Sequence, residues 1–309
     1  MKLLACLCLG IPVAAPRADH KVLIIDGQNN HNWKAMTPFM KAQLEKSGLF
    51  AVDVSTTPPS PPGKPKEETA EQKAEREKKV EAFKADWAKW RPKFSDYKVV
   101  VLNYNGELWP EEVRKSFEEY VRDGGGVHVV HAANNAFTPW AEYNKMIGLG
   151  WRDAKFGDRV FYNDQGELVR EKAGQGRGAG HGKQHEFVVT IRDGEHPITK
   201  GLPKTWMHAQ DELYHGQRGP AADMQILASA FDDPKQGGTG VHEAMLWVIP
   251  YGKGRVVTNV MGHENGKSLQ CVGFVTIMNR TCEWLATGKV TVPVPDNFPT
   301  PEKSSTVAK

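Results

Sequence analysis

Short, continuous apolar runs punctuate the chain. Lys21-Val-Leu-Ile-Ile-Asp26 comes first, followed by Val99–Asn103, Val127–His131, Gln225–Phe231, Ala244–Ile249 and Arg255–Met261. A run without polar alternation suits a strand covered on both faces, as in a parallel sheet. Phe187–Arg192 alternates and reads as a half-buried strand. Helical spacing appears over Met36–Lys46, over Pro110–Arg122 with Pro110 suited to a first turn, and over Ser268–Ala286. Strand, helix and strand in this order predict an α/β fold: a right-handed, doubly wound, mostly parallel sheet between two helical layers. Ligands of such sheets bind beyond the carboxyl ends of the strands.

Three segments stand apart from this core. The stretch 57–93 opens with Pro58, Pro59, Pro61, Pro62 and Pro65 and then becomes highly charged. Val80, Phe83, Trp87 and Trp90 recur there at helical spacing, which predicts a surface helix docked along one stripe or, alternatively, a helix offered to a partner. The tail 293–309 reads as flexible or as a tether. Met1–Ala15 places Lys2 before the apolar run Leu3–Val13 and ends in Val13-Ala14-Ala15, which reads as a signal peptide and implies a periplasmic or secreted protein. Removing these segments from 309 residues leaves a length normal for one α/β core.

Composition narrows the partners. Forty basic against 37 acidic residues give a net charge of +3, which argues against a nucleic-acid binder built on a strongly basic face. No apolar run reaches the roughly 20 residues of a membrane span. Of four cysteines, Cys6 and Cys8 lie in the leader. Cys271 and Cys282 fall in one apparent helix, where their spacing puts them about 16 Å apart, too far for a disulfide. They read as buried free thiols.

Familiar motifs fail on inspection. His185-Glu186, His242-Glu243 and His263-Glu264 begin like zinc-protease helices, but Val189, Leu246 and Lys267 stand where the second histidine belongs. Gly266-Lys267-Ser268 ends like a phosphate loop, yet Met261 replaces its first glycine. The alternating glycines 174, 176, 178, 180 and 182 do not form a dinucleotide motif, so no nucleotide is expected. They read either as a flexible active-site loop or as a plain surface loop. No serine occupies a G-x-S-x-G elbow.

What remains is a set of histidines and carboxamides that follow apolar strands. Asn30, His31 and Trp33 follow the first strand; His131 and Asn134 follow Val127–Val130; His263 follows Arg255–Met261 and precedes Glu264 and Asn265. A parallel sheet brings those three strand ends to one edge. His128, inside a strand, reads as structural, and His196, before Pro197, as a turn residue. Asp211-Glu212 before Leu213-Tyr214 is suited to a substrate hydroxyl or a metal, or to pairing with arginine. Trp33, Trp140 and Trp151 offer ring faces for a sugar or for packing.

These residues resemble the ThuA-like (trehalose-utilisation) domain. The matching positions are Gly27 to Trp33 with His31, Val130-His131-Ala132-Ala133, Trp140 with Tyr143, Ile147-Gly148, His181, and His196 to Leu202. They continue through Asp211-Glu212-Leu213-Tyr214, Trp247, Tyr251 to Val256, and Gly262-His263. The resemblance implies a domain over 20–290 with a flavodoxin-like, class I glutamine amidotransferase-like fold. It also implies a role in disaccharide or 3-keto-sugar catabolism, beside a sugar oxidoreductase. Amidotransferases of this fold carry a cysteine in the turn where this chain reads His131-Ala132-Ala133-Asn134, so thioester chemistry does not transfer.

The expectation is therefore an enzyme acting on a 3-keto-disaccharide or glycoside by acid/base or metal-assisted cleavage or isomerisation. Its catalytic candidates are His131, His263, Asp211 and Glu212. Asn30, His31, Trp33, Asn134 and Tyr214 are expected to bind substrate, and His131, His181 and His263 to hold a divalent metal such as zinc. The alternatives are a noncatalytic carbohydrate-binding module in the same cleft, or a scaffold docked to an oxidoreductase through Trp87 and Trp90.

Overall fold

A computed structural model describes residues 20–264 and 266–307. The leader with Cys6 and Cys8, and Asn265, lie outside them. The chain runs β1 (His20–Asp26), α1 (Trp33–Lys46), β2 (Phe50–Thr56), α2 (Ala70–Lys89), β3 (Val99–Leu102), α3 (Glu111–Arg122) and β4 (Gly126–Val130). It continues through α4 (Ala141–Ile147), β5 (Arg159–Tyr162), β6 (Leu168–Glu171), β7 (Gly180–His181), β8 (His185–Ile191), β9 (Thr205–Asp211) and β10 (Tyr214–His215). Last come β11 (Gln225–Phe231), β12 (His242–Tyr251), β13 (Gly254–Asn259), α5 (Lys267–Gln270) and α6 (Val272–Thr287).

The main sheet is ordered β2-β1-β3-β4-β13-β12-β11-β8-β9. From β2 to β13 every pairing is parallel. In β1, Val22 and Ile24 join one apolar layer while Leu23 and Ile25 join the other, which is why the run lacks alternation. Beyond β13 the sheet turns antiparallel, so Gln225–Phe231 and Ala244–Ile249 are not the parallel strands their apolar runs suggested. Central burial on both faces gives the same pattern in either direction, and only the hairpin from β12 to β13 decides. Because direction reverses at each of the four steps from β13 to β9, β9 ends on the same edge as β1, β4 and β13. Irregularities in the β11–β12 and β8–β9 pairings bend this half, and β9 packs on α5 and α6.

The insertion forms α2, begun by a reciprocal cap in which Thr69 Oγ1 accepts from Gln72 N at 3.2 Å and Gln72 Oε1 from Thr69 N at 2.8 Å. Its end docks through Trp87 and Trp90, both buried, with Trp90 5.3 Å ring to ring from Trp109. Those two rings pack within the chain, on each other and on Trp109. The expected helix Ser268–Ala286 breaks at Cys271 into α5 and α6, and Cys271 and Cys282 are buried free thiols. The tail also departs from its expected looseness. Phe298 packs against Trp206, Thr300 O accepts from Met207 N at 2.7 Å, and Ser305 O from Val272 N at 2.9 Å.

His128 sits inside β4 with no exposure, and burial pushes its imidazole down to about 3 from an ordinary 6.5. The unfolded chain therefore takes up a proton below pH 6.5 that the folded chain refuses, and stability falls with acid at up to about 1.4 kcal/mol per pH unit. His128→Leu should flatten that slope between pH 6 and 4 in urea unfolding; an unchanged slope would assign acid sensitivity to other groups.

Candidate functional site

Four histidines and one carboxylate meet at the carboxyl edge of the sheet. Glu212 lies at the centre: its carboxylate oxygens are 3.3 Å from His263 Nε2, 3.6 Å from His181 Nε2, 3.7 Å from His131 Nε2 and 3.9 Å from His31 Nε2. The ring centroids of His31, His131 and His263 are 4.7 to 5.4 Å apart, all edge to face. One ligand atom from each of these three rings and from Glu212 falls within 4.8 Å of all the others. His181 is outside that tight group and is 37% exposed, so it marks the solvent side. Of the expected metal trio, His131 and His263 lie in this tight group with His31 and Glu212, and His181 stands at the rim.

The local structure aims each ring. His31 Nδ1 is 3.1 Å from Asn29 Oδ1, which also accepts the His31 backbone N–H at 3.0 Å. His131 Nδ1 donates to Val260 O, and His181 Nδ1 to Gly182 O, each at 2.7 Å. These oxygens can only accept, so Nδ1 carries a hydrogen in all three rings and Nε2 faces the centre. His131 Nε2 is buried without a hydrogen-bond partner. The same residue has φ +44, a left-handed conformation unusual for a non-glycine residue and one that clusters at functional sites. Gly27 and Gly262 make the neighbouring turns, with φ +115 and +103. A Cβ on Gly262 would lie 2.5 Å from the Phe274 ring.

Asp211, expected to act on substrate, has no exposed surface and turns its oxygens inward. Oδ2 accepts from Gly262 N at 2.8 Å and from His208 Nε2 at 2.7 Å, while Oδ1 accepts from His263 N at 3.2 Å and from Glu212 N at 2.7 Å. It is a positioning residue that holds Glu212 and His263 side by side. His208, in turn, is raised to about 9: burial would lower it, but Cys271 and Asp211 outweigh that. Neither His208 nor Asn29 was singled out in the sequence. The signal for Asn29 was only its place in a polar turn, and His208 lies inside a strand.

The remaining candidates divide. Tyr214 is buried with its ring 4.5 Å from His131 and 4.8 Å from Trp151, forming a wall beside the cluster. Trp151, half-buried and 5.8 Å from His181, keeps a ring face near the mouth. Trp140 is buried among aromatic rings with Nε1 bonded to Glu118, which removes it as a sugar platform. Asn134 is fully buried and bonds Gln217; Asn30 is exposed and accepts from Asn105 Nδ2 at 2.7 Å. Trp33 opens α1 at intermediate exposure.

The glycine-rich segment carries His181 to the cluster, and one buried arginine holds it. Arg218, with no exposure, donates to the carbonyls of Lys172, Gln175 and Arg177 and to the Glu171 carboxylate. Two of its glycines are required by close approach: a Cβ on Gly180 would lie 2.8 Å from His215 Nε2, and one on Gly182 2.3 Å from Gln236 O.

Charge at the centre is set by this crowding. Burial and the neighbouring His131 push His263 down to about 4. Burial alone would raise Glu212, but His131 and His31 overcome it and hold the carboxyl well below its usual range. The cluster thus pairs a neutral imidazole with an ionised carboxylate near neutral pH, an arrangement suited to moving protons or holding a cation.

With this geometry in view, the relatives become informative. The family described as ThuA, trehalose utilisation, matches residues 21–285. The chain belongs to the ThuA family. A crystal structure of a ThuA-like protein from Parabacteroides merdae ATCC 43184 is 40% identical with TM-score 0.82, over 93% of this chain and 97% of that one. A second, from Bacteroides uniformis ATCC 8492, is 19% identical with TM-score 0.54, over 91% and 97%. No curated protein matches. The mixed α/β sheet agrees with the class I glutamine amidotransferase-like fold expected of a ThuA domain.

The expected periplasmic or secreted location is withdrawn. Two solved structures similar to this ThuA chain are cytoplasmic proteins by name, STM3548 and STM1381 of Salmonella typhimurium. They share 12% and 14% identity at TM-score 0.45, covering 85% and 86% of this chain and 98% and 99% of theirs. The leader that suggested export lies outside the described residues. Among those residues, no helix is long and apolar enough to cross a membrane.

Two substitutions probe the frame. Asp211→Asn presents an amide N–H to backbone donors and strands His208, so it should lower unfolding stability by about 3 kcal/mol in urea titrations. Loss of less than about 1 kcal/mol would show that Asp211 does not clamp the loops. Arg218→Ala should raise amide hydrogen exchange across residues 172–181 while leaving β1 to β4 protected; equal protection in both proteins would remove Arg218 as the anchor.

Proposed function

We propose that this ThuA-family protein is an enzyme of carbohydrate catabolism that cleaves or isomerises an oxidised, 3-keto disaccharide or glycoside by proton transfer. The observation that carries the reading is the meeting of His31, His131, His181, His263 and Glu212 around one point beside the half-buried Trp151 ring.

A ketone at C3 acidifies the hydrogen on C2. His181, outside the tight group at the solvent side, accepts that proton; the C2 electron pair forms the C1–C2 double bond as the C1–O bond breaks, and the leaving oxygen takes the proton from the imidazolium so formed. Glu212 stabilises the imidazolium as it forms, and the Trp151 ring offers an apolar face for stacking a sugar. Neither thiol among the described residues takes part: Cys271 and Cys282 are both buried away from solvent. An oxidoreductase that installs the ketone is the class of partner that would supply this substrate.

The test is turnover of a 3-keto-disaccharide, followed by loss of the substrate and appearance of the freed sugar. Glu212→Gln and His263→Ala should each reduce kcat by about 10² to 10⁴ with circular dichroism unchanged. Saturable binding without turnover in the wild-type protein would instead favour a carbohydrate-binding module.

A further inference from the structure

The distances around Glu212 are too long for good hydrogen bonds and have another reading. Three of the four imidazole contacts lie between 3.6 and 3.9 Å and the fourth is 3.3 Å, at or beyond the edge of N–H···O bonding. Moreover, His31 and His131 have already placed their hydrogens on Nδ1, through Asn29 Oδ1 and Val260 O. Their Nε2 atoms then face the Glu212 carboxylate across gaps that a single cation would bridge. Ligands around a tetrahedral zinc with bonds of about 2.0 to 2.1 Å are separated by about 3.3 Å, close to these spacings. Imidazole nitrogens backed by carbonyl acceptors are the usual form of metal-bound histidine.

We propose that His31, His131, His263 and Glu212 bind one divalent ion of the zinc class, with His181 left outside the ligand set at the solvent side. This deepens the proposed function and rests on it for what the ion would do, which is to polarise the substrate ketone. The buried, unpartnered Nε2 of His131 is the ligand atom that no protein group satisfies. Asn29 and Asp211 act through the ligands: Asn29 orients His31, and Asp211 holds the backbone of Glu212 and His263 together. The oxygen and nitrogen donors favour zinc over magnesium or calcium, which prefer oxygen alone.

The experiment uses the full chain, stripped with a chelator and dialysed, then titrated separately with zinc chloride and cobalt chloride. One equivalent should bind, and the cobalt form should show visible d–d bands of a four- or five-coordinate nitrogen and oxygen site. Glu212→Gln and His31→Gln should abolish these bands, and Asn29→Ala, which removes no ligand, should weaken metal affinity by about 10- to 100-fold. His181→Ala should keep the bands. Because His131 is buried, the folded state of every variant is checked by circular dichroism, and the exposed-side His181 variant serves as the reference. Absence of stoichiometric binding in the wild-type chain, or equal binding by Glu212→Gln and His31→Gln, would overturn the site. Loss of the cobalt bands in His181→Ala would overturn the assigned ligand set. Full turnover of the keto-sugar by the stripped protein would sink the metal and leave the proposed function standing. Stoichiometric binding without turnover would do the reverse.

Discussion

A single buried carboxylate joins the two halves of this protein. Asp211 sits at the end of β9, four strands from β13, yet it accepts N–H bonds from Gly262 and His263 in the loop after β13 and from its own neighbour Glu212. A buried carboxylate needs several donors or a cation, and here it has three backbone N–H groups and the protonated His208. Meeting that requirement forces the antiparallel half to fold back on the loop of the parallel half. Glu212 is delivered to the histidines as a consequence.

The rest of the edge is arranged around that join. β1 and β4 contribute His31 and His131 directly, because parallel strands release their loops on one side. His181 arrives differently. It comes from a two-stranded ribbon with β10, and Arg218 grips the carbonyls of the preceding glycine-rich turn. Several polar groups that would be costly alone thus occur in matched sets, while buried imidazole nitrogens such as His131 Nε2 and His263 Nδ1 have no hydrogen-bond partner.

Much of this was readable in advance, for identifiable reasons. The strands β1, β3, β4 and β13 announced themselves as unbroken apolar runs, and the polar turns behind three of them pointed to one edge. The ordered matches from Gly27 to His263 led to the ThuA family. The direction of β11 and β12 was not legible, since burial on both faces produces the same run in a parallel or an antiparallel strand. Asp211 and Glu212, adjacent and chemically alike, looked interchangeable; only packing turned one inward and the other toward the histidines. Trp140 and Trp151 likewise differ by what surrounds them, not by type.

By itself, then, the sequence determined where β1, β3, β4, β8, β11, β12 and β13 lie, that no cysteine could serve the turn after β4, and which imidazoles leave the sheet at its carboxyl end. Those properties are local, carried by periodicity and by residue identity within a few positions. Tertiary structure alone decided the bend that returns β9 to the loop after β13, the roles of Asp211 and Glu212, the ring orientations set by Asn29 and Val260, and the anchoring of the glycine-rich segment by Arg218. Each depends on groups separated by tens of residues, and hydrogen-bond satisfaction across such distances leaves no periodic trace in the chain.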